Sequence, residues 1–229
     1  MFVQGLRDTR GALERWRREP VPVLRGWFGW SMVVACALLT AVWVVSTLAT
    51  PDVTEIAIVG VHYTPVAADI GGILARNSLV LALHATACVA GFLAGSSLRH
   101  AAAQRTGFSR LVHEKAGPIA IAFVIAATTF SLATQAFVLG SSAASIAYQL
   151  GISPATLVLT ALPHALPELT ALFLPLAAWI IASRRDEWHD LLAATFVTVG
   201  IAVPLLIVSA LLETYLWPEI ITRISPVLS

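Results

Sequence analysis

Long apolar runs alternate with short polar stretches along this chain, and the alternation sets the architecture before any single residue is weighed. Five runs stand out, over residues 27–49, 72–98, 118–140, 154–183 and 191–217. Each is long enough to cross a hydrocarbon core of about 30 Å as a helix rising about 1.5 Å per residue. The pattern predicts an all-α, polytopic membrane protein with five transmembrane helices. A basic cytoplasmic or interfacial segment over 1–26 would precede a single membrane domain over 27–229. The first run exceeds the roughly 7–15 apolar residues of a secretory signal peptide, so it reads as a retained signal anchor.

The cations orient these spans. Arg7, Arg10, Arg15, Arg17, Arg18 and Arg25 precede the first run, Arg99, Arg105, Arg110 and Lys115 follow the second, and Arg184 and Arg185 follow the fourth. Twelve of the fourteen basic residues thus fall on alternate loops. The opposite side carries Asp52, Glu55, Asp69 and Glu219, with Arg76 and Arg223 as its cations. By the positive-inside rule the N-terminus is cytoplasmic and the C-terminus external. Phe2, Leu6, Leu13 and Trp16 recur at helical spacing among arginines, which suits a helix lying on an anionic inner leaflet; a basic flank that only enforces orientation is the other reading. The loops over 50–71 and 99–117 are too short to build a core of their own, so any chemistry must sit within the membrane.

Composition narrows the classes further. Charged residues make up 12% of the chain, against about 25% in soluble domains, and the formal net charge is +1. No global field attracts nucleic acid. Cys36 and Cys88 lie in apolar runs without a C-x-x-C spacing, and they read as packing residues. No phosphate-binding loop, nucleophile elbow or H-E-x-x-H motif is present, and nothing calls for a cofactor or a resident metal.

Ionisable residues inside apolar runs are the candidate chemistry, because their burial is costly unless they pair, line a cavity or carry function. The fourth run contains P-H-A-L-P-E, Pro163 to Glu168, and the last contains Glu213. His164 and Glu168 share a face if the segment is helical. Pro163, Pro167 and Pro175 remove backbone donors, so the fourth helix is expected to be kinked or broken; at a break, Pro167 would open a new helix with Glu168 in its first turn. Three readings stay open: a structural polar knot, a proton or cation site, and a zinc site that adds His84. Glu213 also suits a carboxylate snorkelling near Tyr215 and Trp217, and a lone His84 suits a helix–helix hydrogen bond. Gly91 and Gly95 form a G-x-x-x-G that favours close helix packing or self-association. Arg76 and Asn77 open the second span, where they suit capping or headgroup binding.

These residues also carry a resemblance. P-H-A-L-P-E-L-T-A, from Pro163 to Ala171, resembles the P-H-G-x-x-E-L-x-A motif of the stage II sporulation protein M family, and A-L-L-E-T-Y-L-W-P, from Ala210 to Pro218, resembles its closing A-x-x-E-x-x-x-x-P signature. Asn77 at the head of the second span is similar too. The chain departs from the pattern at Ala165, where the family has Gly, at Pro167, at Ser78 and at Trp179. The resemblance implies five spans and no assigned catalysis, with Pro163, His164, Glu168, Glu213 and Asn77 as motif positions; in spore-formers the family member acts with peptidoglycan-degrading partners during engulfment. The expected function is a non-enzymatic scaffold or anchoring subunit of an envelope complex in the bacterial plasma membrane. It would have lipid and protein partners, and self-association is compatible with it. A small proton- or cation-coupled transporter or channel subunit is the alternative, and an intramembrane metal-dependent hydrolase the third. The topology is open to a direct check: alkaline phosphatase fused to the C-terminus should be active, and a fusion that stays inactive while expressed would reverse the orientation.

Overall fold

The structure is a computed structural model, and it describes residues 2–54, 57–97 and 107–228. It is 86% helical, with no strand among the described residues. Among the described residues seven α-helices follow in order: α1 (Phe2–Arg18), α2 (Pro20–Leu48), α3 (Ala67–Phe92), α4 (Gly107–Gln149), α5 (Pro154–Arg185), α6 (Leu191–Leu211) and α7 (Trp217–Ile224). Wide π-type turns occupy Leu93–Ser97 and Leu212–Leu216, and a short 3₁₀ turn spans Trp188–Asp190. Among the described residues five segments are long and apolar enough to cross a membrane: Pro20–Leu48, Ala67–Gly95, Ile121–Gln149, Pro154–Arg185 and Trp188–Ile224.

Several boundaries differ from the apolar runs for identifiable reasons. α2 begins at Pro20 rather than near Trp27, because Pro20 and Pro22 fall in a first turn whose N–H groups need no partner. α4 is 43 residues long, about 65 Å at 1.5 Å per residue, and continues past both Pro118 and Gly140. Gly140 is a packing position: a Cβ there would lie 2.5 Å from Val45 Cβ on α2. The helical backbone reaches back to Gly107, into what reads as a basic loop; the side chains of Arg110, His113, Glu114 and Lys115, and Arg99 and Arg105 altogether, lie outside the described residues, as does Glu55. α4 ends where Gly151 takes a positive φ of 65° and Ile152 N–H returns to Ala147 O at 3.0 Å. Ser153 then caps α5 through Thr156 N–H at 3.1 Å.

The chain divides into two compact units. One comprises Met1–Ser31, Val80–Thr129 and Leu172–Ala202, the other Met32–Leu79, Phe130–Ala171 and Val203–Ser229. In the first unit α1 is held by a two-pronged ion pair, Arg15 Nη2 to both Asp190 oxygens at 2.6 and 2.7 Å, and by Trp16 edge-on to Trp27 at 5.1 Å. The face it buries is small, with Gly5 near Leu192 and Phe92 and Ala12 fully enclosed, while Leu13 stays exposed. The side chains of Phe2 and Leu6 lie outside the described residues. Arg184 stacks 4.7 Å over the Trp30 ring. Cys88 is buried and its thiol donates to Pro175 O at 3.0 Å, whereas Cys36 is exposed.

Gly91 and Gly95 serve packing within this unit. A Cβ on Gly91 would stand 2.7 Å from Trp179 Nε1, and one on Gly95 only 2.2 Å from Trp188 Cγ. The two indoles meet edge-on at 6.1 Å. Trp179, which interrupts the small-residue run of α5, therefore has a seat made for it on α3.

The second unit closes around Ile58, Ala147, Leu150, Leu157 and Ile221. Ser225 Oγ donates to Leu150 O at 2.8 Å, tying the C-terminal turn to the end of α4. Gly60, at φ 77°, presses on Pro218, where an added Cβ would lie 2.6 Å from Pro218 Cγ. The loop between α2 and α3 is fastened to the start of α7 at this point.

Gly95→Ala should destabilise the protein by about 1–3 kcal/mol through overpacking against Trp188. Thermal unfolding of the purified protein checks this, and Trp188→Ala in the same chain should recover part of the loss; a neutral Gly95→Ala would contradict the contact.

Candidate functional site

The second unit brings together three of the ionisable residues singled out in the sequence. α5 is continuous through Pro163 and Pro167, so of the two expected forms, kinked or broken, the break is not present, and His164 and Glu168 stand one turn apart on one helix. Proline is tolerated there because neighbouring helices and hydroxyl side chains can serve freed backbone groups in a membrane. Pro163 itself is exposed, and His164 is buried with 9% of its surface open.

Glu213 reaches the same place from the wide turn Leu212–Leu216. The turn has a local cause. Pro218 has no N–H, so the Thr214 carbonyl lacks its usual helical donor and the ladder is forced to open. Thr214 Oγ1 braces the segment by donating to Ala210 O at 2.7 Å. α7 then resumes with Pro218 in its first turn, and Trp217 meets His164 edge-on at 6.1 Å with the rings inclined by 72°.

His164, Glu168, Glu213 and Trp217 line a cavity of about 300 Å³. Apart from Ser142 on α4 its remaining walls are apolar, with Leu39 and Val42 from α2, Leu139, Ala143 and Ile146 from α4, and Leu157, Val158 and Ala161 from α5 among them. Behind Glu168 stand Asn77 and Arg76 of α3. The Asn77 amide faces the Glu168 carboxyl, and the Arg76 guanidinium acts on both glutamates. Four buried polar atoms here lack a hydrogen bond of good geometry among the described residues: His164 Nδ1, Glu168 Oε2, Asn77 Nδ2 and Trp217 Nε1. Unmet polar atoms in apolar surroundings cost about 1–3 kcal/mol each unless a ligand or water serves them.

His84 is not one of these lining residues. It belongs to the first unit, fully enclosed, with its ring edge-on to Phe173 at 5.2 Å and its nitrogens near the carbonyls of Val80 and Leu172. Of the three residues of the zinc reading, His164 and Glu168 line the cavity and His84 does not, and no group of three His, Cys, Asp or Glu suited to a metal ion occurs among the described residues. Two members escaped the sequence reading. Arg76 reads as a headgroup contact and Trp217 as part of an aromatic belt; the signal for Arg76 was its place beside Asn77, and nothing local marked Trp217 as a neighbour of His164.

If Asn77 serves Glu168, its chemistry should matter more than its size. Asn77→Asp, which adds a third carboxyl, should destabilise the protein by about 2 kcal/mol or more, and Asn77→Leu by less, since unpaired like charges in low dielectric are the costlier fault. Unfolding midpoints in detergent check the order, and equal effects would detach Asn77 from Glu168.

Comparison with known families places this site in context. Residues 116–218 match the family model described as Stage II sporulation protein M. The match takes in most of α4, all of α5 and α6, and the wide turn through Pro218, so His164, Glu168 and Glu213 fall inside it while Asn77, His84, Gly91 and Gly95 lie before it. No curated protein and no solved structure matches the chain. Among the described residues five helices are long and apolar enough to span a membrane, and over residues 116–218, the stretch bearing both glutamates, the chain is similar to the Stage II sporulation protein M family.

Proposed function

We infer that the chain is a non-enzymatic, multi-pass scaffold or anchoring subunit of an envelope complex in the bacterial plasma membrane, oriented with its N-terminus in the cytoplasm. One observation carries this reading. In the span Ile121–Gln149 only 6% of the most apolar window is buried within the chain, against 67% for Pro154–Arg185. That helix turns Phe123, Phe130 and Phe137 outward, and Thr129 and Thr134 are exposed beside them. Lipid can solvate the rings, but hydroxyls on an outward face suit association with another helix. The span lies inside the family match, which supports a shared role in assembly.

The cavity favours a second reading, a small proton- or cation-coupled carrier, because two carboxyls and an imidazole line one space. Both readings predict intact folding of Glu168→Gln; the carrier alone predicts lost cation flux in proteoliposomes.

A photoreactive residue at Phe130 or Phe137, activated in living membranes, should yield one or a few discrete protein adducts. Adducts to lipid alone at both positions would remove the scaffold reading.

A further inference from the structure

The cavity of the second unit has more character than a packing defect, and its charge and shape specify an occupant. Its polar wall holds two carboxyls, Glu168 and Glu213, with Arg76 as the cation acting on both. Two acids against one guanidinium leave one acid uncompensated. An ionised carboxylate in low dielectric demands a counter-charge, so a cation or a proton must complete the set. His164, more than nine-tenths buried, lines the same space with Nδ1 unserved, and Glu168 Oε2 is unserved beside it, while the Trp217 indole N–H is an unmet donor. The carboxyl oxygens and the imidazole therefore offer acceptors for a cationic donor.

The opposite wall separates a bare ion from an organic cation. Apart from the Ser142 hydroxyl, the residues of α2 and α4 that line it, Leu39, Val42, Leu139, Ala143 and Ile146, present nothing to coordinate an ion. Leu139 is also 45% exposed and Ser142 is exposed, so α4 forms a rim through which the space communicates with the surroundings of the helix. A volume of about 300 Å³ is at the lower end of small-molecule sites, too large for a desolvated metal ion and suited to a short aliphatic stem.

We propose that this cavity is a binding site for an alkylammonium group, with the ammonium between Glu168 and Glu213 and its aliphatic stem against Leu39, Val42, Leu139 and Ala143. Glu168 and Glu213 accept the N–H donors. The apolar wall gains from burying the stem at roughly 25 cal/mol per Å² removed from water. The occupant is distinct from a scaffold partner at Phe130 or Phe137, so the two proposals stand or fall separately.

The protein in phosphatidylcholine nanodiscs tests this with n-hexylammonium chloride, n-hexanol and potassium chloride as probes, read by the thermal unfolding midpoint. Hexylammonium should raise the midpoint saturably, while hexanol and potassium at equal concentration should not. Glu168→Gln and Glu213→Gln should each raise the half-saturating concentration at least tenfold, and Glu219→Gln, on the exposed start of α7, should leave it unchanged. Ala161→Phe, which fills the space and keeps both acids, should abolish the response and guards against a glutamate variant that fails to fold. An equal shift with hexanol would mean apolar filling only, an equal shift with potassium a bare cation site, and a response that survives Ala161→Phe binding elsewhere; each overturns the proposal. An arm comparing nanodiscs with and without phosphatidylethanolamine separates the sources: competition by that lipid assigns the ammonium to a headgroup, and its absence assigns it to a free amine.

Discussion

A carboxyl group at membrane depth has to be met by another polar group, and Glu168 is where that requirement bears hardest on this chain. Its surroundings are arranged around it from three separate stretches of sequence. Asn77 and Arg76 come from α3, Glu213 from the turn after α6, and His164 from one turn earlier on its own helix. The continuity of α5 through two prolines is part of the same arrangement, since a broken helix would not hold His164 and Glu168 one above the other. The fastening of Gly60 against Pro218 fixes the turn that carries Glu213.

The first unit solves a different problem by different means. It relies on fit between indoles and bare backbone. Trp179 and Trp188 occupy the surface that Gly91 and Gly95 leave open. At its polar edge, Arg15 and Asp190 clamp α1 with two short hydrogen bonds, although the half-exposed arginine limits what that clamp contributes to stability.

What could be read from sequence divides along physical lines. Spans follow from hydropathy, which is a local and additive property, and the five apolar runs correspond to five long helices. Ends follow from single residues whose meaning depends on neighbours. Gly140 looks like a terminus and is a contact with Val45; Pro163 and Pro167 look like a break and are carried within a continuous helix. The placement of His164 one turn from Glu168 was legible because both lie on one helix with fixed geometry. The positions of Arg76 and Trp217 beside them depend on how separate helices meet, which no periodicity encodes. His84 has the same chemistry as His164 and a similar apolar setting in sequence, and only packing tells that one faces Phe173 and the other a cavity.

The wide turn at Leu212–Leu216 has a consequence for how the chain can change length. A π-type turn holds one residue more than the α-helical path it replaces. Deleting a single position there would let the segment close into an ordinary α-helical course with Trp217 and the C-terminal helix near their present phase. The same deletion within the regular part of α6 would rotate all that follows by about 100°. This short stretch is thus a point of slack, able to absorb a change of length that the helix before it would transmit.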